Sequence, residues 1–113
     1  MKKEITVLNR NFLFQRVYKR GKNYVSPLLV TYVMKRRDGG LRIGVTASKK
    51  IGCAVERNRA RRVIKAAASG LLPQAGGPFD VVFVCRGATG SAKSHEIAAV
   101  MEQHLRQAGI LSC

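Results

Sequence analysis

The 113-residue chain contains no tryptophan, three prolines, three cysteines and six acidic residues. Each scarcity excludes something. Cys53, Cys85 and Cys113 are odd in number, far apart and never in a Cys-x-x-Cys pair, so they build neither a disulfide framework nor a zinc site. The acids Glu4, Asp38, Glu56, Asp80, Glu96 and Glu102 are scattered, which leaves no carboxylate pair for general acid–base work or a two-metal clamp. His95 and His104 are not at ligand spacing and read as surface or core histidines. No P-loop and no nucleophile elbow occurs. A run of about 18 apolar residues, the length needed to span a bilayer, is missing. The basic start at Met1 to Val7 is interrupted by Asn9, Arg10 and Asn11 before a signal peptide's apolar region can develop. The chain reads as a reduced, cytoplasmic domain with no catalytic centre and no dedicated metal site of its own.

What is present is positive charge. Lys and Arg number 21, for a formal net charge of +15. Residues 1–65 carry 18 of those cations and 3 of the acids, while residues 66–113 carry 3 of each. With 46% hydrophobic residues, the chain has the material for one domain spanning residues 1–113 and no room for a second core. A single folded unit that concentrates like charge repels itself, and a polyanionic partner is the usual compensation. Nucleic acid is the expected partner class, with anionic membrane surface a distant second.

Spacing predicts a helix from Asn9 or Asn11 to Arg20, with Leu13, Phe14, Val17 and Tyr18 on one arc and Gly21 as the stop. A β-rich run, Leu28 to Met34, follows Pro27. Lys35 to Gly40 reads as an Asp-Gly turn into the alternating run Leu41 to Ser48, so these two runs are expected to form a β-hairpin. A second helix is expected over Ala54 to Ser69, an apolar strand covered on both faces over Phe79 to Cys85, and a last helix from Ser94 toward Gly109. The order α-β-β-α-β-α, with Lys22 to Ser26 as a candidate short extra strand, predicts a single compact α+β domain: one mixed sheet packed with three helices.

The second helix carries the strongest signal. On a helical wheel Ala60, Val63, Ile64, Ala67 and Leu71 share one face. Arg57, Arg61 and Lys65 form a row away from it, Asn58 and Arg62 a parallel row, and Arg59 stands on the far flank. A charged solvent face normally mixes signs to make i, i+4 pairs, whereas only Glu56 is acidic here and its i+4 partner is Ala60. The comb of guanidinium forks fits nucleic-acid phosphates. Lys49 and Lys50 extend the strip. Phe14, Tyr18 and Tyr32 fit either an ordinary core or an aromatic groove for unstacked bases; spacing leaves both open.

At this point the sequence resembles the protein subunit of bacterial ribonuclease P. Ser48-Lys49-Lys50-Ile51-Gly52-Cys53-Ala54-Val55 matches that family's S-K-K/R-x-G-x-A-V loop, and Arg57-Asn58-Arg59 its RNR helix. Phe14-Gln15-Arg16-Val17-Tyr18-Lys19-Arg20-Gly21 matches F-x-x-V-[FY]-x-x-G, and Val30-Thr31-Tyr32 and Asp80-Val81-Val82-Phe83 match its strands. The resemblance covers essentially the whole chain. It implies a subunit that binds a large catalytic RNA and helps it remove 5′ leaders from precursor tRNA, with Mg²⁺ held mainly by the RNA and no DNA or membrane partner. It assigns catalytic-RNA contact to the helix row of Arg57, Asn58, Arg59, Arg61, Arg62 and Lys65. Leader contact falls to Phe14, Val17, Tyr18, Tyr32, Ser48, Lys49 and Lys50. It also implies a left-handed β-α-β crossover, against the usual right-handed preference. One departure is Lys65, where the family usually has Arg; the charge stays but the planar fork is lost. The alternative reading is a non-catalytic RNA-binding module, such as a ribosomal protein or RNA chaperone.

Overall fold

Val81 to Cys85 is an uninterrupted apolar run, and such a strand is stable only where both faces are covered. The computed structural model describes residues 5–7, 11–37, 40–47, 51–71, 77–87 and 89–111. In chain order its elements are β1 (Ile5–Val7), α1 (Asn11–Arg20), β2 (Lys22–Val25), β3 (Leu29–Lys35), β4 (Leu41–Thr46), α2 (Ala54–Leu71), β5 (Phe79–Cys85) and α3 (Ser94–Gln107). A short 3-10 turn at Thr89–Ser91 precedes α3. The sheet has five strands in the order β1-β4-β5-β3-β2, so the apolar strand lies at its centre.

The expected hairpin between Leu28–Met34 and Leu41–Ser48 does not form. β5 inserts between β3 and β4, antiparallel to β3 and parallel to β4. The Asp-Gly turn specifies only a local reversal, and in a β3–β4 hairpin β5 would have to sit at an edge. The hairpin that does form is β2–β3, so the candidate strand at Lys22–Ser26 exists as Lys22–Val25. Ser26 and Leu29 close its two-residue loop by exchanging backbone hydrogen bonds of 2.9 and 3.3 Å. β1, which spacing did not single out, pairs parallel with β4 at the far edge.

Alternation along β5 sorts the two cores. Val81, Phe83 and Cys85 face a layer made by α2 and α3, packing with Ala60, Ile64, Ile97, Met101 and Leu105. Val82 faces the other way, onto Val17 of α1 with Leu13, Phe14, Tyr18, Tyr32 and Met34 around it. α1 ends where it meets β3. A Cβ on Gly21 would lie 2.6 Å from the Val17 carbonyl oxygen and 2.7 Å from that of Val33, so only glycine fits. α3 starts at Ser94 as expected, with Lys93 at its N-cap; the Glu96 carboxylate accepts the Lys93 backbone N–H at 2.9 Å. It ends in a Schellman motif, with Gly109 at φ +80° and the Ile110 N–H donating to the Leu105 carbonyl at 2.9 Å.

His104 on α3 is a core histidine. Its Nδ1 lies 2.8 Å from the Thr31 hydroxyl, and its ring stands 6.0 Å from that of Tyr24. Burial lowers its pKa below the ordinary value of 6.5. The unfolded chain therefore takes up a proton that the native state refuses. Stability from this residue is complete above pH 6.5 and is lost as pH falls through that value toward the depressed native pKa. Urea unfolding midpoints measured between pH 8 and 5 should decline in this window, and a His104→Gln variant should decline less.

Candidate nucleic-acid interface

α2 docks by Ala60, Ile64, Ala67 and Ala68, all buried, which leaves its polar rows turned outward. Asn58, Arg59, Arg62 and Lys65 are exposed, while Arg57 and Arg61 are half-buried. Arg57 Nη1 donates to the Gly52 carbonyl at 3.3 Å, tying the comb's first tooth to the turn that starts the helix. Gly52 itself is at φ +141°, and the Glu56 carboxylate folds over it, 2.6 Å from where a Cβ would be. Glu56 also accepts the Cys53 thiol at 3.5 Å. Among the described residues none of the α2 arginines forms an ion pair with an acid. The comb is electrostatically unspent.

Beside it lies an open groove of about 490 Å³ between α1, the end of β4 and α2. Phe14, Gln15 and Tyr18 form one wall, Val45, Thr46 and Ala47 another, and Arg61 closes it from α2. Tyr32 on β3 packs against that wall, its ring edge-on to Tyr18 with centroids 4.9 Å apart and planes at 68°. Phe14, Tyr18 and Tyr32 all keep part of their surface in solvent. Sequence spacing left open whether these rings are core or groove; all three pack against the buried Val17 and Val82, and Phe14 and Tyr18 also line the open groove.

The structure refines two of the expected assignments, Val17 for the leader and Arg61 for the catalytic RNA. Val17 is 0% exposed, packed onto Val82 of the sheet beneath Phe14 and Tyr18, so it offers no surface to a leader. Arg61, grouped with the catalytic-RNA residues, lines the aromatic groove and donates to the Asn58 side chain at 3.2 Å. It stands at the seam of the two surfaces. Ser48, Lys49 and Lys50 lie outside the described residues. Thr46, Ala47 and Gln15 were not singled out by sequence, having no charge or ring to mark them.

The family profile described as Ribonuclease P matches residues 1–109. A Ribonuclease P protein component from Clostridium botulinum (strain Loch Maree / Type A3) is 36% identical over 104 residues, 91% of this chain and 94% of the relative. The Clostridium kluyveri protein of the same name is 37% identical over 106 residues, with 91% and 94% covered. The chain belongs to the ribonuclease P protein family. A solved RNase P protein from Staphylococcus aureus shares the fold, with TM-score 0.81, 24% identity and coverage of 96% and 100% of the two chains. As a ribonuclease P protein component, the chain is the protein subunit of a tRNA-processing ribonucleoprotein endoribonuclease, and RNA is its partner.

Among the described residues no three His, Cys, Asp or Glu side chains converge. Among the described carboxylates Asp80 is the one fully buried, at 0% exposure, and it is already engaged by guanidinium groups. Arg42 holds it in a bidentate pair at 2.6 and 2.7 Å, Arg36 Nε lies 2.7 Å away and Arg16 3.7 Å. The hydrogen bonds to Asp80 raise the Arg42 pKa further. Cys85 is no better a ligand, since burial pushes its thiol up to about 11. No described helix is long and apolar enough to cross a membrane.

Proposed function

We propose that the α2 comb of Arg57, Asn58, Arg59, Arg62 and Lys65 grips the catalytic RNA of ribonuclease P, and that the groove of Phe14, Tyr18, Tyr32 and Arg61 receives the single-stranded 5′ leader of precursor tRNA. The observation that carries this reading is the convergence of exposed ring edges and an arginine in one open groove, directly beside an unpaired cationic helix. Bases can stack on the rings while Arg61 takes a backbone phosphate, and the neighbouring rows neutralise a second stretch of RNA. In this reading Mg²⁺ belongs to the RNA, which carries out the phosphodiester hydrolysis in the cytoplasm. The polypeptide contributes position and charge, holding the leader so that the scissile bond is presented in one register.

The test is reconstitution at low Mg²⁺ with a bacterial ribonuclease P RNA and two precursor tRNAs, one with a long leader and one with a single-nucleotide leader. Cleavage at the mature 5′ end should require both RNA and protein under these conditions. Base–aromatic stacking is worth about 1–3 kcal/mol per base, so Phe14→Ala or Tyr18→Ala should lower kcat/KM on the long leader about 10- to 100-fold. The short leader should be nearly unaffected. Equal losses on both substrates would remove the leader from the groove. RNA binding without restored cleavage would reduce the chain to a general RNA-binding module.

A further inference from the structure

α1 has a second flank. Where Phe14 and Tyr18 turn to the aromatic groove, Arg16 and Arg20 turn the other way, toward a larger cavity of about 760 Å³ at the end of the sheet. Its rim carries Arg16 and Arg20 from α1, Lys22 from the start of β2, and Lys35, Arg36 and Arg37 at the end of β3. The floor is apolar and aromatic, with Tyr24, Met34 and Phe79.

The charge here is not explained by the fold's own needs. Asp80 accounts for part of it, binding Arg16, Arg36 and Arg42 from beneath. Arg20, Lys22, Lys35 and Arg37 are exposed, and among the described residues none is paired with an acid. Asp38, next in sequence, could offset one cation at most. The carbonyl ends of α1 and α3 add about half a negative charge each. Cations still outnumber all of these together. Asp80 also fixes the direction of the two most buried guanidinium groups, so the rim is built on a rigid base.

We infer that this cavity is a second RNA-backbone site, taking a stretch of phosphodiester chain distinct from those at α2 and in the aromatic groove. The spacing of the cations favours a strand over a single small anion. Arg16 and Arg20 stand one helical turn apart, about 5–6 Å, and Lys22, Lys35 and Arg37, from a different part of the chain, line the same opening. A lone phosphate would call for donors converging on one point. The cavity is open on one side, and its apolar floor can carry a sugar or base face while the rim holds phosphates. The inference does not depend on what occupies the groove.

The experiment is an amide NMR titration of the ¹⁵N-labelled full chain with a twelve-nucleotide oligouridylate and, separately, with inorganic phosphate. Signals of Lys22 and of Met34 to Arg37 should shift and saturate with the oligonucleotide, alongside the groove signals of Phe14, Tyr18 and Thr46. The apparent affinity at the cavity should fall with salt, with a log–log slope of about 0.7 per phosphate engaged. The charge reversals Arg20→Glu and Arg37→Glu, made together, should weaken the cavity response at least tenfold and leave the groove response in place. If that variant loses its dispersed spectrum, Lys22→Gln with Lys35→Gln serves instead, with a smaller loss expected. Groove signals that saturate while cavity signals stay still would overturn the inference and spare the groove. The reverse pattern would sink the leader assignment alone. An equal cavity response to inorganic phosphate, at matched phosphate concentration, would make this a small-anion site and overturn the RNA reading.

Discussion

Replacing Asp80 by asparagine is expected to cost about 3–5 kcal/mol of folding stability, the range for removing one partner of a buried ion pair. The reason is arrangement rather than count. Asp80 is fully buried in the central strand, opposite Arg42 in the β4–β5 register and Met34 in the β3–β5 register. Its two oxygens serve Arg42 in a bidentate fork, and one of them also serves Arg36. The Arg42 and Arg36 side chains are 23% and 18% exposed, so neither can recover its hydration by swinging out. Without the carboxylate, mostly buried guanidinium groups repel one another at the junction of β3, β4 and β5. A domain of this size has about 5–15 kcal/mol in total, so urea unfolding should show a midpoint shifted by a large fraction of its value. The double replacement Asp80→Leu with Arg42→Met should be far less damaging, because it removes both charges and fills the space. A small shift for Asp80→Asn would show that water reaches the cluster.

The second large effect is expected at α2. Arg59→Ala, Arg62→Ala and Lys65→Ala, made together, should leave the melting temperature almost unchanged and weaken holoenzyme assembly by roughly tenfold for each lost charge-assisted phosphate contact. None of the three pairs with an acid among the described residues, and all are exposed, so the fold does not use them. Each lost phosphate contact should also flatten the log–log salt dependence by about 0.7 to 0.9, the range from single strands to B-form duplex. Arg62→Lys separates charge from shape: it keeps the cation and loses the fork, so it should restore the salt slope but not the full affinity. Assembly titrations from low to moderate salt decide the matter. An unchanged slope in the triple variant would remove α2 from the RNA interface.

Much of this was legible along the chain because it is periodic. The burial of Ala60, Ile64 and Ala67 and the outward rows of α2 follow from 3.6 residues per turn. The covering of β5 on both faces follows from its unbroken apolar stretch. The match of Arg57-Asn58-Arg59 and its flanking loop to one family was likewise readable without coordinates. What was not legible involves partners distant in sequence. Local turn chemistry at Asp38-Gly39 argued for a β3–β4 hairpin, yet β5 takes the place between them. Val17 shares a helical arc with Phe14 and Tyr18, and spacing cannot say which of the three points into the sheet and which point along its surface. Asp80 read as one of six scattered acids, since its arginines come from positions 16, 36 and 42.

The sequence by itself determined the α+β class, the cationic helix, the excess of positive charge and the RNA-binding role. These rest on composition, on local periodicity and on a contiguous motif, each of which is a property of neighbours along the chain. Only the tertiary structure decided the strand order, the pairing of Tyr18 with Tyr32, the place of Arg61 between comb and groove, and the buried Asp80 cluster beneath a second basic cavity. Those depend on how the sheet satisfies two buried faces at once, a constraint that couples residues dozens of positions apart and leaves no mark in any local pattern.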